Sequence, residues 1–150
     1  MELNPLTALS PIDGRYARQT DALRDIFSEC AFMNARVRVE VEWLISLSEA
    51  GFAELPHLSD HGKAFLRGLA DNFSLADCEA IKEIEKTTNH DVKAVEYWIK
   101  NQVAHDEELK SASEFVHFSC TSEDINNTSH AIMLKRGREA CDRAVDLLEV

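Results

Sequence analysis

Two short polar runs carry most of the side chains in this 150-residue chain whose types and spacing could do chemistry. The first is Thr87-Thr88-Asn89-His90-Asp91; the second is Ser119-Cys120-Thr121-Ser122-Glu123-Asp124-Ile125-Asn126-Asn127. A histidine between an amide and a carboxylate can be held in one tautomer and used as an acid, a base or a phosphate contact. The same five residues also suit a plain helix cap with a solvent-facing ring. In the second run, Thr121 or Ser122 can cap a helix with Asp124 in its first turn. The start of that helix offers free N–H groups and the positive end of its dipole to a carboxylate or phosphate. A third candidate is Ser10-Pro11-Ile12-Asp13-Gly14-Arg15-Tyr16, a tight turn that sets a guanidinium beside a phenol. Arg15 and Tyr16 can fork onto a phosphate, and an ordinary loop with a surface arginine fits them as well.

These runs need elements to hold them, and the periodicity supplies helices. On one helix over 121–150, turning about 100° per residue, Met133, Leu134, Ala140, Cys141, Ala144, Val145, Leu147 and Leu148 fall in one arc. Ser122, Glu123, Asn126, Asn127, Ser129 and His130 fall in the same arc, so the inward face begins polar and ends apolar. Burying an unpaired polar group costs ~1–3 kcal/mol, so that beginning is expected to be fully paired or to line a wet, ligand-holding cavity. The stretch 92–103 carries a stripe of Val92, Val95, Ile99 and Val103, and 32–50 is expected to be a helix buried on most sides and stopped by Gly51. Arg36 and Glu40 lie one turn apart within it and are expected to pair with each other, outside any site. Shorter helices are expected over 20–28 with Leu23, Ile26 and Phe27 on one side, over 60–69 after a Ser59 or Asp60 cap, and from a Ser74–Asp77 capping box to about Lys86. His117, between Val116 and Phe118, reads as a packed, hydrogen-bonded histidine. Residues 1–16 read as an extended arm broken by Pro5, Pro11 and Gly14, and 105–110 as a charged linker. No period-2 run of sheet length appears, so the class is all-α, with a helical domain over 1–110 and the start of a long-helix bundle over 111–150.

Bulk properties narrow the partners. A formal net charge of -11, from 27 acidic against 16 basic residues, argues against nucleic acid and against an anionic membrane. No apolar run reaches the ~20 residues of a membrane span, and residues 1–16 lack the pattern of a signal peptide, so a cytoplasmic setting is expected. Cys30, Cys78, Cys120 and Cys141 have no pairing or metal spacing and are expected to be reduced, mostly buried thiols, with Cys120 packing beside a site. His57 and His61 are four apart but complete no ligand set, so no metal is expected.

The three polar runs, the first extended through Val92-Lys93-Ala94-Val95-Glu96-Tyr97 and the second preceded by Ser113-Glu114-Phe115-Val116-His117-Phe118, resemble the N-terminal third of the adenylosuccinate lyase family within the fumarase/aspartase superfamily. The resemblance covers essentially the whole chain. It implies a homotetrameric, cofactor-free lyase of purine biosynthesis, removing fumarate from adenylosuccinate to leave AMP and from the succinyl-carboxamide ribotide SAICAR to leave AICAR. It implies that Arg15 and Tyr16 hold the nucleotide phosphate, that Asn89, His90 and Asp91 contact the nucleotide and orient the acid, and that Thr121 and Ser122 hold the succinyl part. The family's Thr-His-Gly-Gln-Pro-Ala segment, with the general acid, and its Gly-Ser-Ser-x-Met-Pro-x-Lys-x-Asn loop, with the serine base, are absent from these residues. The chain is therefore expected to be an N-terminal piece that is inactive alone and supplies part of a shared site. Argininosuccinate lyase, a neighbouring lyase with no need of the Arg15-Tyr16 pair, and a non-catalytic helical assembly module are the alternatives.

Overall fold

A computed structural model describes residues 4–146 of the chain. Every regular element among them is helical: a 3-10 turn Asp21–Leu23, then α1 (Arg24–Phe27), α2 (Glu29–Glu49), α3 (Asp60–Asp71), α4 (Leu75–Thr88), α5 (Asp91–Val103), α6 (Glu107–Ala112), a 3-10 turn Ser113–Phe115 and α7 (Ser122–Asp146). The all-α expectation holds.

The organising element is α2. It starts where the Ser28 hydroxyl accepts from the Ala31 N–H, and it ends before Gly51, whose φ of 82° is a conformation that glycine adopts without strain. Along it Val37, Val41, Leu44, Ile45 and Leu47 are buried, and they meet Leu66 of α3, Ile81 of α4, Val95, Trp98 and Ile99 of α5 and Leu109 of α6 in one core. Each such side chain contributes about 1.5–3 kcal/mol by leaving water, which is why a helix apolar on several sides ends up surrounded. The other helices start on local caps that the sequence spells out. Ser59 accepts from Gly62 N–H, Ser74 and Asp77 close a reciprocal capping box, and Asp106 accepts from Leu109 N–H.

Several expectations are corrected. The arm is not extended: Gly14 N–H donates to Ser10 O, Tyr16 N–H to Pro11 O, and the Thr20 hydroxyl to Ile12 O, so it folds into successive turns. Ile26 is buried but Phe27 is half exposed, and the covered part of its ring lies against Gly137 of α7, where an added Cβ would collide with it. The supposed linker contains α6, which buries Leu109. Cys30 and Cys78 are joined by a disulfide between α2 and α4, with Cα atoms 5.7 Å apart, so only Cys120 and Cys141 are free.

The face of α7 is also corrected. The buried ridge is Ile125, Ser129, Met133 and Gly137, at four-residue steps, and it packs on α2. Of the polar groups expected inward, Ser129 is buried and Ser122 and Asn126 are half-buried, while Glu123, Asn127 and His130 are exposed. Leu134, Cys141 and Val145 point outward; Leu147 and Leu148 lie outside the described residues.

Candidate active-site elements

The break between α4 and α5 is two residues long, and each has a defined job. Asn89 closes α4 in the left-handed conformation, φ 49°, which asparagine tolerates better than most residues. His90 is extended and caps α5, its Nδ1 accepting from the Lys93 N–H at 3.1 Å. A nitrogen that accepts carries no proton, so the neutral ring is protonated at Nε2. That nitrogen lies 3.4 Å from the Ser122 hydroxyl at the start of α7. Capping and chemistry are therefore not rivals at His90, since one nitrogen serves each.

Asp91, the first residue of α5, is held from two sides. Its Oδ1 accepts from the Val92 N–H at 2.8 Å, and its Oδ2 pairs with an Arg36 amino group at 2.6 Å. Burial is the largest single influence on this carboxyl and raises its pKa, but the Val92 N–H and the Arg36 guanidinium together hold it below the usual range. The Arg36 side chain is only 4% exposed. Its Nε donates to Asn126 Oδ1 of α7 at 2.9 Å, and its guanidinium carbon sits 3.9 Å from the centre of the Phe32 ring, which in turn stacks on His130. One arginine thus ties α2 to the starts of both α5 and α7.

Glu40 does not pair with Arg36 as the spacing suggested. It is fully buried, and its Oε1 lies 2.6 Å from His117 Nδ1. Burial pushes its pKa up, against the lowering pull of the histidine. Thr121 starts α7 through a reciprocal bond set: its N–H and hydroxyl both reach Asp124 Oδ2, at 2.7 and 2.8 Å, which holds the Asp124 carboxyl below its usual range.

The candidates are brought together unequally. His90 and Ser122 meet, Asp91 is joined to Asn126 through Arg36, and Thr121 and Asn89 adjoin them in sequence. Arg15 and Tyr16 stand apart in the arm, the guanidinium 5.2 Å from the Tyr16 ring centre, and no hydrogen bond or ion pair among the described residues joins their side chains to the other candidates. A cavity of about 570 Å³ between α2 and α7 has Arg38, Trp43, Cys120 and Asp124 in its walls but not His90, Asp91 or Ser122. Burial raises the pKa of the Cys120 thiol, with Glu40 and Asp124 adding to it, which opposes a thiolate and fits a packing role.

A family described as lyase matches residues 14–148. The chain belongs to this lyase family. Among curated relatives, the adenylosuccinate lyases of Vibrio cholerae and Haemophilus influenzae are each 56% identical to it over 140 residues, and that of Escherichia coli K12 is 53% identical. Each alignment covers 93% of this chain and 31% of the relative, so this lyase-family chain spans about a third of the length of the relatives it matches.

Proposed function

We propose that this chain supplies the nucleotide- and succinyl-binding part of an adenylosuccinate lyase, whose reaction eliminates fumarate from adenylosuccinate to leave AMP and from SAICAR to leave AICAR. The observation that carries the reading is His90 Nε2 facing Ser122 Oγ across the junction of three helices, with Asp91 and Asn126 tied to one buried arginine. The adenylosuccinate lyase relatives favour this substrate over argininosuccinate.

In the elimination a base removes a proton from the carbon beside a carboxylate, the C–N bond breaks as the carbon–carbon double bond forms, and an acid delivers a proton to the departing nitrogen. Negative charge builds on the carboxylate side while the anion lasts, so donors fixed there lower the barrier. Thr121 and Ser122, at the positive end of α7, are suited to that carboxylate. His90, half exposed and protonated at Nε2, is suited to donate to the ligand or to orient the acid, with Asn89 and Asp91 beside it. Arg15 and Tyr16 are assigned to the phosphate, which requires the arm to reach a site assembled with other parts of the enzyme. The general acid and base are assigned to the Thr-His-Gly-Gln-Pro-Ala segment and the serine loop that characterise the family. A homotetramer in the cytoplasm and a division of the chain at 110/111 belong to the same proposal. No helix among the described residues is long and apolar enough to cross a membrane.

Calorimetry with AMP and with fumarate tests the assignment. Arg15→Ala is expected to weaken AMP binding at least tenfold and leave fumarate binding unchanged. Equal losses for both ligands, measured in a complete enzyme that carries these 150 residues, would overturn it.

A further inference from the structure

We propose that Glu40 is a positioning residue for the start of α7, fixing Thr121 and Ser122 through His117 without touching substrate itself. The inference rests on the assignment of Thr121 and Ser122 to the succinyl part.

Glu40 has no exposed surface, so it cannot reach a ligand. A leucine would fill the same space without the cost of burying a carboxylate, and only one of its oxygens has a partner: Oε1 meets His117, while Oε2 is buried with none. The group is therefore poorly explained by packing and well explained by what it holds. His117 is in the left-handed conformation, φ 63°, and Ser119 two residues on has φ 60°. Two non-glycine residues in that region so close together persist only where their surroundings dictate them. The surroundings are two side chains one turn apart on α2. Glu40 takes His117 by its ring, and the Trp43 indole N–H donates to the Phe118 carbonyl at 2.8 Å. The chain is next tied by Cys120 N–H to His117 O and then enters α7 at Thr121. Only two residues, Ser119 and Cys120, separate the second anchor from Thr121, too few to absorb a shift at His117 before the helix begins. The carboxylate also sets the ring's tautomer: accepting from Nδ1–H, it leaves Nε2 as the acceptor.

The test compares Glu40→Leu, Glu40→Gln and Trp43→Phe. Hydrogen exchange on the 150-residue chain should be at least tenfold faster at Cys120, Thr121, Asp124 and Ile125 in Glu40→Leu and in Trp43→Phe. Glu40→Gln, which can still accept from His117, should stay within about threefold of the unsubstituted chain, and Val95 and Ile99 of α5 should not change in any variant. The same substitutions are then read in a chimera in which these 150 residues replace the matching third of the Escherichia coli relative. There Glu40→Leu should raise KM for adenylosuccinate at least tenfold, with Glu40→Gln restoring most of it. Uniform acceleration along the chain would make Glu40 a plain core residue and overturn the proposal, as would unchanged exchange at Thr121. A local loosening with KM unchanged would overturn it too. An unsubstituted chimera without activity would instead defeat the assignment of function, while the exchange pattern would still decide the role of Glu40.

Discussion

Arg36→Met is the most informative single change, because it removes a side chain whose polar bonds join three helices while keeping most of the apolar stem. Its bond to Asn126 is between a buried cation and a half-buried amide and is worth about 1.5 kcal/mol. The Asp91 carboxylate is 47% exposed and can return to water, so that ion pair is discounted to about 0.5–1 kcal/mol. The stacking over Phe32 adds about 0.5–1 kcal/mol. Against roughly 3 kcal/mol lost stands the release from burying a guanidinium, which offsets part of it. The net expectation is a loss of about 2 kcal/mol, or roughly 4–8 °C in melting temperature for a chain of this size. Urea titration should show a lower midpoint with an unchanged slope, since the same surface is exposed on unfolding. A double-mutant cycle with Asp91→Asn should return a coupling of about 0.5–1 kcal/mol. A net change under about 0.5 kcal/mol together with zero coupling would refute the view that Arg36 links α5 to the fold.

Reduction of the Cys30–Cys78 bond, or replacement of both residues by alanine, should lower stability by up to about 4 kcal/mol, the chain-entropy value for a crosslink closing 48 residues. An unchanged melting curve with and without dithiothreitol would mean that the bond is not formed in solution, as a cytoplasmic setting would favour. Acid should loosen the start of α7. The Asp124 pKa is lowered by the Thr121 N–H and then by its hydroxyl, so its contribution is complete above the ordinary carboxylate value of about 4 and is lost as pH falls through the lower folded value. Exchange at Thr121 should therefore rise below about pH 4, and Asp124→Asn should abolish that pH dependence; a flat profile in the unsubstituted chain would contradict the cap.

What the sequence made legible is what is local. The Ser74–Asp77 box, a cap at Thr121 or Ser122 with Asp124 in the first turn, a cap at Ser59 or Asp60 and the stripe from Val92 to Val103 involve neighbours within four turns, and the structure makes Thr121 and Ser59 the capping residues. The buried polar links were not legible. Arg36 and Glu40 invite a pairing by their four-residue spacing, yet their partners lie 55, 90 and 77 residues away, at Asp91, Asn126 and His117. Nothing in a helical period distinguishes a local ion pair from two long-range ones. The rotation of α7 was misjudged for a related reason. An apolar count follows Leu134, Cys141 and Val145, whereas the helix packs through the small residues Ser129 and Gly137 alternating with Ile125 and Met133, where close approach matters more than hydrophobicity. Small residues at an eight-residue interval on the line of Ile125 and Met133 were the available signal. The polar cluster was found because motif resemblance names residues by type and order; how His90 reaches Ser122 depends on the two helix ends meeting, which order alone does not encode.

The central claim is that these residues form a competent part of an adenylosuccinate lyase site, and fumarate release by the Escherichia coli chimera measures it most directly. The unsubstituted chimera is expected to turn over adenylosuccinate within about tenfold of the relative, and His90→Gln in it to lose at least tenfold in kcat while staying folded, since the ring that donates to the ligand or orients the acid is gone and the weakened α5 cap costs only about 1 kcal/mol. A folded chimera that releases no fumarate, or one whose activity is indifferent to His90→Gln, would contradict the account.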